Sequence, residues 1–316
     1  MNPVAALPVC RCCGSSAVRS RGSKRGTFIV RDFAYLACDS CGYLFVDPFA
    51  GYEIYNDDYY LGRGPDPYVD YAAEYADYRA TDRILEFDDL ARLAAAHFAA
   101  PAPLALRPLP SESLAWLDFG CGAGGLLKFL ADRKTLSIAN RPRPLEITGH
   151  DVGSYADLLR TRDGFRILNL AELQALPDAQ FDVISLIEVI EHIEFPDPVI
   201  ALVARLLRPG GLLLLTTGNN DCPAARRDGL AYRYYLPEIH VGIFNPSCLA
   251  RLYARHGLAP LPVRYRGVVQ FKVLKSLVHS GRRRLARLVL RFPPLVRLID
   301  RAYGVSAMPC AVQPRP

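Results

Sequence analysis

Two pairs of cysteines and one carboxylate-flanked run of glycines carry most of the chemistry this 316-residue sequence could do. Cys10-Arg11-Cys12-Cys13-Gly14 and Cys38-Asp39-Ser40-Cys41-Gly42 are two CxxC-Gly knuckles. A tight turn of this kind aims two thiolates at one ion, and four thiolates at about 2.3 Å make a closed tetrahedral zinc site with no position left for water. Such a site is structural, and in a segment too small for a core of its own it supplies the folding free energy. Cys10, Cys13, Cys38 and Cys41 are the expected ligands. Cys12, inside the first knuckle, is not assigned, although it could stand in for Cys10. The alternative is a degenerate ribbon of reduced, unliganded thiols.

The glycine run is Leu117-Asp118-Phe119-Gly120-Cys121-Gly122-Ala123-Gly124-Gly125. An apolar strand delivers a turn without Cβ atoms, and a helix follows, so a ligand can touch the backbone. Gly120, Gly122 and Gly125 also satisfy the GxGxxG dinucleotide fingerprint, a weak signal alone. Asp118 separates the two readings. A carboxylate beside the turn repels a pyrophosphate and attracts an ammonium. Asp151, in Gly149-His150-Asp151-Val152-Gly153, follows the next strand, where a carboxylate can accept hydrogen bonds from both ribose hydroxyls. Further on lie FDVISLIEVIEH (Phe181–His192) and Leu207-Arg208-Pro209-Gly210-Gly211 before another strand.

In these four ordered segments the chain resembles the class I S-adenosylmethionine-dependent methyltransferases. LDFGCGAGG looks like their first motif, GHDVG like the acidic end of their second strand, FDVISLIEVIEHI like their fourth strand, and LLRPGGLLLLTT like the approach to their fifth. The resemblance implies that Asp118, Gly120 and Gly122 cradle the methionine part of S-adenosylmethionine. It implies that Asp151 binds the ribose, that Glu172 in NLAELQALP meets the adenine amino group, and that Ile187 belongs to the cofactor-binding set. The usual Gly-Asp dipeptide is missing near Glu172. The long Arg133–Leu145 connection, with its Arg-Pro-Arg-Pro, departs from the pattern and reads as a surface insertion. The N-terminal region is similar to the zinc ribbon that precedes this domain in some bacterial families, certain sugar methyltransferases among them. The likeness covers about residues 9–260.

An acceptor hydroxyl or amine needs a base within hydrogen-bonding reach. His240, in Tyr235-Leu236-Pro237-Glu238-Ile239-His240, resembles a Pro-Glu-x-His stretch of the zinc-ribbon relatives and is the expected catalytic residue; a packing histidine is the competing reading. His192 reads as an N-cap or structural hydrogen-bonding group. Glu188, Glu191 and His192 are also similar to the metal-binding cluster of quinone-precursor O-methyltransferases. The tyrosines of Tyr52–Tyr78 form either an aromatic lid or packing between the ribbon and the main domain.

These residues need a scaffold, and the patterning supplies one. Short apolar strands at Leu114–Phe119, Leu145–His150, Phe165–Leu168, Phe181–Ile187 and Leu212–Thr217 alternate with helices, which argues for a parallel sheet covered on both faces. The expected fold class is α/β and Rossmann-like: a mostly parallel seven-stranded sheet behind a small N-terminal zinc ribbon. Four regions follow: the ribbon over 1–50; a Tyr-rich segment, a helix through Thr81–Phe98 and a linker with Pro101, Pro103, Pro108 and Pro110 over 51–112; the cofactor-binding domain over 113–274; and a basic tail over 275–316. Leu261–Arg266 and Val268–Leu274 are expected to close the sheet as an antiparallel pair.

Charge is divided unevenly. The net +6 combines −5 over residues 1–263 with +11 over 264–316. Residues 271–292 can form a basic amphipathic helix with Leu274, Val278, Leu285, Val289 and Phe292 on one side, stopped by Pro293-Pro294. Its apolar face either packs on the domain or meets an anionic membrane or lipid-linked substrate. Nucleic acid is a poor fit, because no recognition motif accompanies the arginines. No apolar run approaches the roughly 20 residues that span a bilayer, and Met1–Pro8 lacks a secretory pattern. A cytoplasmic protein, peripheral to the membrane at most, is expected. The expected function is methyl transfer from S-adenosylmethionine to a small-molecule or glycan-type acceptor, at oxygen before carbon or nitrogen. The competing functions are a non-catalytic binding protein recruited through its ribbon and tail, and a nicotinamide oxidoreductase.

Overall fold

The computed structural model describes residues 8–66, 71–100, 112–279, 289, 292–304 and 308–314. Its larger sheet runs in the order β11-β12-β9-β8-β4-β6-β5, with a short β7 also paired to β6. β4 (Leu114–Phe119), β6 (Arg141–His150), β7 (Arg166–Ile167), β8 (Phe181–Ile187) and β9 (Leu207–Thr216) are parallel. Every residue of β4 and β8 is buried, as continuous apolar strands under helices on both faces must be. The register sets Trp116 of β4 beside Ile147 and Val183, and its indole N–H donates to the Ser185 hydroxyl at 3.0 Å.

Eleven helices surround these strands among the described residues. α1 (Asp57–Tyr60), α2 (Tyr71–Asp77) and α3 (Ile84–Ala99) precede the sheet. α4 (Gly125–Arg133), α5 (Tyr155–Thr161), α6 (Leu170–Ala175) and α7 (Pro196–Leu206) alternate with the strands. α8 (Pro223–Asp228), α9 (Pro246–Arg255), α10 (Gly267–His279) and α11 (Pro293–Tyr303) follow. The expected insertion after α4 is an ordered hairpin in which β5 (Thr135–Ile138) pairs antiparallel with the first half of β6.

The sheet closes differently from the sequence expectation. β11 is only Ala259–Leu261, and Val268–Leu274 lies within α10. The partner strand is β12, Cys310–Val312, inserted antiparallel between β9 and β11. The cause is a tertiary cap. The buried Asp89 of α3 accepts the backbone N–H groups of Arg266 (2.6 Å) and Val268 (3.2 Å), satisfying donors that a new helix leaves open. At Gly267 a Cβ would run into the Leu85 carbonyl, so α10 can start here only on a glycine.

The supposed tail therefore returns to the core. Pro293 and Pro294 open α11, because proline suits a first turn whose N–H groups are unpaired anyway; of the basic stretch expected as a helix before them, residues 280–288, 290 and 291 lie outside the described residues. Arg282, Arg283, Arg284, Arg287 and Arg291, like the linker prolines Pro101 to Pro110, fall outside the described residues.

The N-terminal module is a second sheet, β1-β2-β3-β10. β1 (Val18–Arg25), β2 (Asp32–Cys38) and β3 (Leu44–Asp47) come from the ribbon; β10 (Gly242–Ile243) comes from the main domain. Leu36, Phe45 and the knuckle cysteines share one apolar cluster with Leu186, Leu215 and Leu249. The ribbon is thus continuous with the core of the larger domain.

Candidate active site

β4 ends in the glycine turn, and β6 anchors it. The N–H groups of Gly120 and Cys121 both donate to the His150 carbonyl, at 2.7 and 2.9 Å. Gly122 has φ +53°, and a Cβ there would stand 2.8 Å from the Tyr71 ring, so the turn and the ring can approach only across a glycine. Asp151 completes the bend. One carboxylate oxygen accepts Gly122 N–H (2.7 Å); the other accepts Gly153 N–H (2.7 Å) and the Tyr60 hydroxyl (3.1 Å).

A cavity of about 430 Å³ opens above this turn. Asp118, Gly120, Gly122, Asp151 and Ile187, all expected from the sequence, line it together. Asp118 is 4% exposed and accepts the Ser185 hydroxyl at 2.6 Å. Burial pushes its carboxyl up to about 7, and neither the Ser185 hydrogen bond nor the Arg83 charge restores it. The site thus holds a carboxylate short of a cation, a glycine backbone and a second carboxylate at the turn. An aminoacyl nucleoside fits that donor set. A diphosphate would meet two carboxylates and does not.

A wall of tyrosines closes the cavity's other side. Tyr52, Tyr55, Tyr59, Tyr60 and Tyr71 all line it. Ring centroids lie 5.0 Å apart for Tyr55–Tyr59, 5.4 Å for Tyr59–Tyr60 and 5.1 Å for Tyr60–Tyr71. Tyr59 and Tyr60 are buried and still face the cavity.

A family model described as "Methyltransferase domain" matches residues 78–263. The chain belongs to this family, the class I S-adenosylmethionine-dependent methyltransferases. It is 29% identical over 154 residues to the ubiquinone biosynthesis O-methyltransferase of Dechloromonas aromatica, covering 46% of this chain and 64% of that protein. It is 31% identical over 159 residues to a probable S-adenosylmethionine-dependent methyltransferase of Mycolicibacterium smegmatis, covering 45% and 59%. The match therefore spans less than two thirds of the length of either relative. Among solved structures, the 1,6-didemethyltoxoflavin-N1-methyltransferase of Burkholderia thailandensis is similar at 19% identity and a TM-score of 0.41, over 77% of this chain and 93% of that one.

Two expected residues of the methyltransferase stand elsewhere. Glu172 is a helix cap: its carboxylate accepts the Asn169 N–H (2.6 Å), while the Asn169 side chain accepts the Glu172 N–H (2.9 Å). Leu170, two residues earlier, is the one that reaches the cavity. His240 does not line the cavity; it sits behind His192, with ring centroids 5.0 Å apart, and its Nδ1 contacts the Tyr234 carbonyl at 2.6 Å.

His192, read as structural, does line the cavity. Its Nδ1 lies 2.9 Å from the Tyr55 hydroxyl and 3.0 Å from the Ile239 carbonyl, and Tyr55 also reaches that carbonyl at 3.2 Å. Burial lowers its pKa and keeps the ring neutral.

The expected Glu188-Glu191-His192 cluster is not brought together. Glu188, at φ +56°, turns to the Lys272 ammonium at 2.6 Å. Burial opposes its charge, but Lys272 outweighs it and holds the carboxyl below the usual range. Glu191 accepts the Thr217 (2.9 Å) and Tyr234 (2.5 Å) hydroxyls, and burial pushes it up to about 8. The groups that do converge, within 4.8 Å, are Glu191, His192 and His240.

Sequence reasoning missed Arg83 and Glu74 at the cavity. Arg83 pairs with Glu74 and Glu86, each at 3.0 Å, and Glu74 accepts the Gly125 N–H at the start of α4. No local pattern links them to a turn some 40 positions away.

The four knuckle thiols meet as expected. Their Sγ atoms all lie within 4.8 Å of one another, with Cys10–Cys41 at 3.7 Å and Cys13–Cys38 at 3.6 Å. A tetrahedron with metal–sulfur bonds of about 2.3 Å has edges of about 3.8 Å. The residues fit such an ion.

Proposed function

We propose that this methyltransferase transfers a methyl group to a hydroxyl of a small-molecule or glycan-type acceptor, with His192 as the general base in place of His240. S-adenosylmethionine, when bound, supplies an electrophilic sulfonium methyl. Asp118 would receive its α-ammonium and Asp151 its ribose hydroxyls, while the tyrosine wall excludes water. The supporting observation is a neutral imidazole on the wall of the same cavity as the carboxylate-flanked turn.

His192 would hold the acceptor hydroxyl and take its proton as the oxygen is methylated, with the neutral thioether of S-adenosylhomocysteine as the other product. The imidazolium so formed would donate to the Ile239 carbonyl through Nδ1. Zinc held by Cys10, Cys13, Cys38 and Cys41 would have a structural role, since four thiolates leave it no open position.

The test replaces His192 with alanine and assays phenolic, catecholic and glycan hydroxyl acceptors. Loss of a positioned base lowers kcat by about 10²–10⁴-fold, with S-adenosylhomocysteine affinity unchanged by calorimetry. Full turnover in His192→Ala removes the base assignment. Methylation confined to amines or carbon acids removes the hydroxyl reading.

A further inference from the structure

A second group of thiols adjoins the first. The Sγ atoms of Cys12, Cys41 and Cys248 also lie within 4.8 Å of one another, and all three residues are buried. Cys41 belongs to both groups. Cys12 comes from the first knuckle, Cys41 from the second, and Cys248 from α9 of the catalytic domain.

α9 presents one face to the knuckles. Cys248, Arg251 and Arg255 fall at i, i+3 and i+7, on one side of a 3.6-residue helix. Arg255 donates to the Cys12 carbonyl at 2.6 Å and Arg251 to the Ser40 carbonyl at 2.9 Å. Asn245, at the N-cap of α9, donates to the Gly42 carbonyl at 3.2 Å. These three contacts fix the helix over both turns, and Cys248 points into the space between them.

Plain packing does not account for this. An apolar contact would be served by alanine or valine and would not turn three sulfurs toward one another. A second observation points the same way. The Tyr43 hydroxyl, two residues after Cys41, is buried without a hydrogen-bond partner. Buried hydroxyls are normally satisfied.

We propose that Cys12, Cys41 and Cys248 form a second thiolate site for a soft d¹⁰ cation. It shares Cys41 with the four-cysteine site and ties the ribbon to α9. Soft thiolates select monovalent copper, zinc or their heavier relatives. The cluster offers three sulfurs, and no fourth His, Cys, Asp or Glu joins it among the described residues. Three thiolates complete the coordination of a monovalent copper ion and leave zinc one ligand short, so copper(I) is the better fit.

The full-length, reduced, zinc-loaded protein is given one equivalent of copper(I) in the presence of glutathione, and bound ions are counted by native mass spectrometry. The expected result is one zinc and one copper per chain, with three sulfur neighbours at the copper by X-ray absorption. Cys248→Ser and Cys12→Ser should each lose the copper and keep the zinc. Cys38→Ser should do the reverse, which separates this site from the structural zinc proposed above. If wild-type protein takes copper only by releasing zinc, or takes none, the second site does not exist and Cys12 and Cys248 are hydrogen-bonding thiols. Copper retained in both the Cys12 and Cys248 variants overturns the site equally. Should either variant fail to fold, the wild-type count decides alone.

Discussion

Asp118 makes cofactor binding depend on pH in a way that can be worked out beforehand. Its carboxyl is pushed up to about 7 in the unliganded cavity, but an α-ammonium is attracted only to the carboxylate. Binding of S-adenosylhomocysteine must then expel the proton wherever it is present, and the apparent dissociation constant carries a factor 1 + 10^(pKa − pH). With a pKa near 7 that factor is about 2 at pH 7 and about 30 at pH 5.5. Affinity should therefore weaken by roughly 15-fold over this interval, about 1.6 kcal/mol. The sign follows from the raised carboxyl: affinity is full above the shifted pKa and lost as pH falls below it. The ligand's ammonium stays charged throughout the interval.

Isothermal calorimetry at pH 7 in buffers of different ionisation enthalpy should show release of about half a proton per ligand bound. Asp118→Asn should bind weakly at every pH, with no proton release. Ser185→Ala removes the 2.6 Å hydrogen bond that favours the ionised form and should move the midpoint upward. Constant affinity from pH 7 to 5.5, with no proton released, would refute the reasoning, because the carboxylate would then already be satisfied without ligand.

Two further predictions concern residues outside the cavity. Glu172→Ala removes half of the capping box on α6 and should cost about 1 kcal/mol of stability by denaturant titration; S-adenosylhomocysteine affinity should not change, whereas a drop of tenfold or more would restore the adenine contact. Glu238→Ala strips the acceptor from Thr27 N–H (2.5 Å) and Phe28 N–H (2.9 Å) and should cost about 1 kcal/mol, because both residues are exposed and water can replace the carboxylate. It should also lower kcat more than it weakens cofactor binding; equal losses in both would mean the ribbon loop does not reach the acceptor side.

Much of the fold and half of the site were legible because they are local. The glycine turn, the carboxylates at Asp118 and Asp151 and the two cysteine knuckles each sit within about ten residues and need no distant partner to be recognised. α10 was illegible for the opposite reason. Val268–Leu274 is apolar enough for a strand, and what makes it helical is the cap from Asp89, on a helix far away in sequence. β12 was hidden by its length, three residues in a segment read by its charge. The capping role of Glu172 was legible, since Asn169-x-x-Glu172 is a capping box in plain sequence. The sequence put His240 before His192, while the structure sets His192 on the cavity wall. Each follows strand-like residues, and only the turn through Ile239 decides which ring faces the cavity.

That turn also links the cysteine-bearing ribbon to the catalytic domain. Glu238 holds the ribbon loop at Thr27 and Phe28, Ile239 gives its carbonyl to His192 Nδ1, and His240 stacks behind the same ring. Val241 then donates its N–H to the Glu191 carbonyl, and Gly242–Ile243 pairs with β3 of the ribbon. Six consecutive residues run from the N-terminal module to the imidazole proposed as base and back to the module. The Ile239 carbonyl beside His192 Nδ1 is thereby bounded on both sides by contacts to the ribbon. A base must be held to within a fraction of an ångström to be effective. A short connection spanning two modules achieves this only if one module is fixed to the other, and the shared apolar core and the α9 contacts to Cys12 and Ser40 join them.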